Sequence, residues 1–258
     1  MKLATWNVNS LKVRLPQVIE WLQTHQPDVL CLQETKLSDE NFPQDEITDA
    51  GYQSIYTGQK TYNGVAILSR SQGREAVTAI PDFEDEQKRV IAATYGNLRV
   101  VSVYVPNGEA VDSEKYAYKM RWLPALTAWL REELKKYPRL AVMGDYNIAP
   151  DDRDVYDPEL WNGKVLCSQP ERSAFNELLN IGFADSFRLF EQPKKSYSWW
   201  DYRMLAFRRN RGLRIDHILL SEALAKDCIA CQIDKVARKQ ERPSDHAPVI
   251  ALLSEGNS

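Results

Sequence analysis

Five short apolar runs of this chain each carry a knot of polar residues at one end. They are Thr5-Trp6-Asn7, Leu32-Gln33-Glu34, Leu140 to Met143 running into Gly144-Asp145-Tyr146-Asn147, Arg214-Ile215-Asp216, and Ser244-Asp245-His246. Four apolar residues in succession read as a strand buried on both faces, so polar residues gathered at its end are presented at a strand tip. One such tip is an ordinary turn, because Gly, Asp and Asn are favoured turn residues. Five tips rich in Asn, Glu, Asp and His predict one shared rim. In the third run Gly144 is expected to turn the backbone so that Asp145 and Asn147 emerge from it.

The segments between the tips set the fold class. Leu15, Val18, Ile19 and Leu22 recur at helical spacing after the first strand, with Pro16 placed in the first turn, and the pattern predicts a helix to about His25. From Gly51 to Val105 short strands follow one another (52–57, 65–70, 89–95 and 98–105), punctuated by Asn63-Gly64 and Gly96-Asn97. Those dipeptides are hairpin signals and predict antiparallel sheet. A long helix is expected from Ser113 to Tyr137, with Pro124 as a kink, and a shorter one from Glu171 to Ile181. Further strands are read at 215–220, 228–236 and 247–253. Nothing interrupts the pattern as a linker or repeat would, so residues 1–258 are read as a single α/β domain.

Composition excludes several classes. With 43% hydrophobic and 27% charged residues the chain is globular, and no apolar run approaches a membrane span. The start, MKLATWNVNS, reads as a strand with no signal-peptide core, so a cytoplasmic protein is expected. A monomer is expected as well. Four cysteines fit a reducing compartment. Cys228 and Cys231 lack a second pair, and in a regular strand residues three apart face opposite sides, which favours packing over zinc.

Charge is unevenly spread. The net −3 hides 12 Lys or Arg against 6 Asp or Glu between Lys194 and Arg242, a local +6 that leaves −9 elsewhere. Within that region Ser196-Tyr197-Ser198-Trp199-Trp200-Asp201-Tyr202 precedes Arg203, Arg208, Arg209, Arg211 and Arg214, with no acid between the first and last of these arginines. Aromatics that stack, interleaved with arginines that pair with phosphates, suit a nucleic-acid groove, and Arg208, Arg209 and Arg211 are the candidate phosphate contacts. A buried aromatic strand followed by a solvated loop is the alternative.

Six blocks together, TWNVNSL (5–11), PDVLCLQETK (27–36), GQKTYNGVAILSR (58–70), GDYNIAP (144–150), GLRIDHIL (212–219) and PSDHAP (243–248), resemble the exonuclease III family of apurinic/apyrimidinic endonucleases, in the endonuclease/exonuclease/phosphatase superfamily. The resemblance spans the chain in order. It implies a DNase I-like four-layer α/β sandwich: two mostly antiparallel sheets face to face with helices outside. It further implies a Mg²⁺- or Mn²⁺-dependent phosphodiesterase that cuts double-stranded DNA 5′ to abasic sites and processes damaged 3′ ends.

Roles follow at the matching positions. Glu34 is the expected metal ligand, and Asn7, Asp145, Asn147, Asp245 and His246 are expected with it in the metal site, directly or through water. Asp145 orients or deprotonates the attacking water, Asn147 and His246 hold the phosphate, Asp216 bonds the other nitrogen of His246, and Tyr104 contacts phosphate. Trp199, Leu213 and Ile215 match the apolar walls that receive an extrahelical abasic sugar. Asn9 stands where some relatives carry an aspartate, and Leu213 where others carry a tryptophan. Hydrolysis of a phosphodiester needs a cation, hydrogen-bond donors for the charge that develops and a base for water, and these residue types supply all three. A phosphatase or phospholipase of the same superfamily would share the GD-x-N and S-D-H cores, and a DNA-binding module without catalysis would share the basic stretch. The aromatic and arginine-rich segment argues against the first, and the complete set of acids, amides and histidine argues against the second.

Overall fold

A computed structural model describes residues 1–254 of the chain. Its strands are β1 (Lys2–Asn7), β2 (Val29–Gln33), β3 (Gln53–Thr57), β4 (Val65–Ser69), β5 (Arg74–Val77), β6 (Val90–Tyr95), β7 (Leu98–Tyr104), β8 (Leu140–Asp145), β9 (Phe183–Asp185), β10 (Asp216–Ser221), β11 (Cys228–Ile233) and β12 (Val249–Leu253). The helices are α1 (Leu11–His25), α2 (Gln44–Asp49), α3 (Glu114–Lys136), α4 (Pro158–Trp161), α5 (Gln169–Asn180) and α6 (Glu222–Ala225).

The strands form two six-stranded sheets, ordered β11-β12-β1-β2-β4-β3 and β5-β6-β7-β8-β10-β9. Each sheet holds one parallel pair, β1 with β2 and β7 with β8, joined by the crossover helices α1 and α3; the remaining pairs are antiparallel. Parallel pairing requires such a crossover, and the helices that supply it cover the outer faces. Leu3, Cys31, Ile67, Ile91, Val100, Met143 and Ile218 fill the space between the sheets. Trp21 and Leu22 of α1 pack on the outside of the first sheet, and Trp122, Leu126 and Phe175 of α3 and α5 on the outside of the second. Four layers result, and strands buried on both faces explain the continuous apolar runs.

This topology makes the rim. In each parallel pair both strands end on the same side, while the antiparallel neighbours β10 and β12 begin there. In the second sheet Tyr104 pairs with Asp145 and Asp145 with Asp216, one lateral row across β7, β8 and β10. In the first sheet Asn7 pairs with Gln33, the residue before Glu34.

Several expectations need correction. Gly144 does not turn the chain: β8 continues through it to Asp145, and a Cβ there would lie 1.9 Å from the Val103 carbonyl oxygen, so glycine allows β7 and β8 to approach. The bend falls at Asn147, with φ 48°. Helix α1 starts at Leu11, four residues before the apolar periodicity, because Ser10 and Leu11 donate their backbone N–H groups to the Glu34 and Thr35 carbonyls. Pro16 therefore lies beyond the first turn, and α3 runs through Pro124 without a break in assignment. Asn63-Gly64 closes a longer loop between β3 and β4, whereas Gly96-Asn97 makes the expected tight hairpin. The edge strand β5 lacks the apolar alternation that would reveal it. A register shift between Cys228 and Ala230 places both Cys228 and Cys231 against the core between the sheets, so they do not face opposite ways.

Candidate active site

Glu34 follows the last residue of β2 in a left-handed conformation, φ 51°, which swings its half-buried carboxylate toward β1 and β8. The Asn7 side chain bridges the two acids: its Nδ2 donates to Glu34 Oε1 at 2.9 Å and to Asp145 Oδ2 at 2.8 Å, while its Oδ1 accepts the Asn9 N–H at 2.9 Å. Carboxylates accept and a backbone N–H donates, so these partners fix the orientation of the amide. Lys36 Nζ sits 3.0 Å from the other Glu34 oxygen. One ligand atom each of Glu34, Asp145 and His246 lies within 4.8 Å of the others. Two carboxylates converging with little but an amide between them are a donor set suited to a hard divalent cation.

Asp145 is buried at 1% exposure and its Oδ1 accepts the Asn147 N–H at 2.9 Å. Burial raises its pKa to about 7, with the Asp216 charge adding to the rise and His246 opposing it. Asp216 in turn accepts both bonds of His246, whose Nδ1 lies 2.9 and 3.1 Å from its two oxygens. The Nε2 of the same ring points toward Asp145 Oδ2 at 3.8 Å. Burial alone would push the imidazole toward neutrality, but Asp216 and then Asp145 outweigh it and raise the pKa to about 10. His246 is therefore a buried imidazolium at neutral pH, aimed at the space in front of Asp145.

Asn147 spends its carboxamide inside the protein. Its Nδ2 donates to the Val105 carbonyl at 3.0 Å and to Asp145 Oδ2 at 3.3 Å, and its Oδ1 accepts from Asn107 Nδ2 at 3.0 Å. With both amide protons engaged, Asn147 holds Asp145 and Asn107, while the exposed Asn107 keeps the second proton of its amide for a ligand. Nothing in the sequence marks Asn107 as a site residue, because Pro106-Asn107-Gly108 has the composition of a plain turn. Beside it Tyr104 lies half-buried under the Arg89 guanidinium, 4.6 Å from the ring centre. Burial and the nearby Glu34 carboxylate push its phenol well above the ordinary range, so it presents a neutral hydroxyl. Glu34, Lys36, Asn63, Arg89, Tyr104 and Asn107 line one open cleft of about 790 Å³.

Asp245 stands to the other side. Its oxygens accept from Asn9 Nδ2 at 3.0 Å and from Trp199 Nε1 at 2.9 Å, so it orients the tryptophan and lies outside the Glu34, Asp145 and His246 cluster. Trp199 forms backbone bridges to both Leu213 and His246. Leu213 and Ile215 are 0% and 1% exposed and pack with Ala149, Val155 and Leu166, so they form the floor beneath Trp199 and not an open wall.

The five arginines of the basic stretch separate into two kinds. Arg208, Arg209 and Arg211 are exposed, and among the described residues none is in an ion pair. Arg203 is tied to Asp201 at 2.7 Å. Arg214 is buried, with Asp154 at 2.7 Å, Asp185 at 2.8 Å and the His217 Nδ1 at 2.9 Å, and it anchors the start of β10. His217 donates Nε2–H to the Ile148 carbonyl; burial and then the Arg214 charge lower its pKa to about 4 and keep it neutral.

A sequence model described as the endonuclease/exonuclease/phosphatase family matches residues 4–246. Exodeoxyribonuclease III of Haemophilus influenzae is 38% identical over 264 residues, covering 97% of this chain and 99% of that protein. Among solved structures, a 3′ phosphatase from Neisseria bound to a product DNA hairpin is similar at TM-score 0.97 and 48% identity, covering 98% of this chain and 99% of that one. An AP endonuclease from Archaeoglobus fulgidus is similar at TM-score 0.95 and 36% identity, covering 98% and 99%. Agreement of the family match, of full-length relatives and of both sheets leads to one conclusion: this chain belongs to the endonuclease/exonuclease/phosphatase family, among its exodeoxyribonuclease III relatives.

Proposed function

We propose that this chain is a DNA-repair phosphodiesterase that uses Mg²⁺ or Mn²⁺ to cut double-stranded DNA 5′ to abasic sites and to clear nucleotides or blocking groups from 3′ ends. The observation that carries the reading is the buried relay from Asp216 through His246 toward Asp145, set across from Glu34 at one rim. Glu34 and Asp145 would hold the cation, which when bound supplies Lewis-acid stabilisation of charge on the phosphate. His246, as an imidazolium, has no lone pair for a metal; it donates to a phosphate oxygen and stays charged through neutral pH because of Asp216. Asp145, held by the Asn7 amide and the Asn147 N–H, is placed to orient water and take its proton. Asn107 and Tyr104 offer neutral donors along the cleft, and Arg208, Arg209 and Arg211 hold the flanking duplex through its phosphates.

An abasic nucleotide has no base to unstack and leaves the helix more readily than a normal one. One observation nonetheless favours 3′-end processing as the leading activity. The apolar floor expected to receive the sugar is filled by the chain itself, with Leu166 held at φ 73° among Leu213, Ile215 and Val155. A 3′ terminus needs only the open cleft beside Glu34. A gel comparing abasic, blunt and 3′-phosphate duplexes with Mg²⁺ tests both: cleavage of any of them that requires the metal supports the hydrolase, and their order ranks the activities. No cleavage of any would reject the proposal.

A further inference from the structure

Behind the rim lies a charge that faces no solvent. Lys119, on the first half of α3, is 0% exposed, and its ammonium donates to Glu171 Oε1 at 2.5 Å, the Asn147 carbonyl at 2.6 Å and the Asn107 carbonyl at 3.1 Å. Those three bonds use all three of its protons. Glu171, in the first turn of α5 and also 0% exposed, is equally saturated. Its Oε1 accepts the Leu166 N–H at 3.0 Å, and its Oε2 accepts the Ser168 N–H at 3.1 Å and the Ser168 hydroxyl at 2.5 Å.

A buried ion pair is a costly way to join two helices, since desolvation offsets most of the attraction and a well-packed apolar pair does as well. Burial pushes the lysine down from its ordinary pKa even with Glu171 beside it. What an apolar pair cannot do is donate to two carbonyls. Both carbonyls belong to residues of the site: Asn107 and Asn147 bond each other through their side chains, and Asn147 bonds Asp145. Asn147 also holds a left-handed backbone, φ 48°, a conformation that persists in a non-glycine residue where its surroundings impose it.

We propose that Lys119 is a positioning residue for hydrolysis: by gripping the backbone carbonyls of Asn107 and Asn147 from behind, with Glu171 as its counter-charge, it fixes both amides relative to Asp145. It touches no substrate. The inference rests on the hydrolytic reading for its kinetic arm and on geometry alone for its spectroscopic one. Misplacing reacting groups by about an ångström lowers turnover on the order of 10²-fold.

The test uses the full chain as parent, K119M, and K119M/E171Q, in which neither partner is left as an unpaired buried charge. Melting temperature, exchange of the Asn107 and Asn147 side-chain amides by nitrogen-labelled NMR, and kcat and KM on the best-cleaved duplex are measured for each. K119M should melt lowest, and the double variant should recover much of that loss. Its kcat should nonetheless remain about 10- to 100-fold below the parent with KM changed less than about threefold, and both amides should exchange faster than in the parent. Recovery of kcat along with melting temperature would show a purely structural ion pair and overturn the proposal, as would unchanged amide exchange. Should the parent cleave nothing, the hydrolytic reading falls, and the exchange comparison still decides whether Lys119 holds the two loops.

Discussion

Replacing Asp216 with asparagine should produce a defect that grows with pH. The wild-type imidazole of His246 titrates at about 10 against an ordinary 6.5, and Asp216 is the largest contribution raising it. Both side chains are almost fully buried, 5% and 0% exposed, so solvent screening does not discount the interaction. With the carboxylate neutralised, burial still acts against the charge and only the weaker attraction of Asp145 acts for it, so the pKa falls well below that of the parent. The variant ring therefore loses its proton over a pH range in which the parent keeps it, and the donor is lost progressively as pH rises. Loss of ring orientation adds to this, so kcat at about pH 8 should fall on the order of 10²-fold with little change in DNA affinity. Single-turnover cleavage of a labelled abasic duplex at saturating Mg²⁺, from about pH 6 to about pH 9, provides the curve. The ratio of parent to D216N should widen by about tenfold or more across that range; a ratio independent of pH would refute the electrostatic argument. H246N should lose as much, and H246N/D216N little more than the worse single variant, because the two act as one unit.

Chelation should abolish cleavage, and E34A should need far more Mg²⁺ than the parent for any activity; undiminished turnover of that variant in EDTA would remove Glu34 as a ligand. Replacing Arg208, Arg209 and Arg211 together with alanine should weaken DNA binding about equally across sequences and flatten the dependence of log affinity on log salt by up to about 3 units. A parental slope would make that loop an ordinary solvated face. His217 is buried neutral with its pKa lowered to about 4, so its contribution to stability is complete above about pH 6.5 and is lost as pH falls toward 4. The loss is on the order of 3 kcal/mol. Urea unfolding of H217Q, whose amide can accept from Arg214 and donate to the Ile148 carbonyl, should lose less stability than the parent over that interval; parallel curves would contradict the assignment.

Much of the rim was legible because the signals behind it are local. An apolar run that ends in Asn, Glu, Asp or His identifies a buried strand and its tip from a few consecutive residues, and Asn7, Glu34, Asp145, Asn147, Asp216 and His246 do meet. The parallel pairs could not be read from the runs themselves, yet they bring the tips to one side, because a crossover helix returns the chain to the same edge. Charge was the poorest guide. Arg214 and Arg211 are indistinguishable as letters, but one is buried with Asp154 and Asp185, far away in sequence, and the other is exposed. Lys119 likewise lies on an unremarkable helix until Glu171 and two distant loops close around it. Asn107 has the setting of a plain turn, and Leu213 and Ile215, matched by resemblance to pocket walls, are buried together with Leu166. Sequence periodicity reports which residues leave water. Which buried group meets which partner depends on contacts between segments tens to hundreds of residues apart, and those are decided only when both sheets and their helices close on one another.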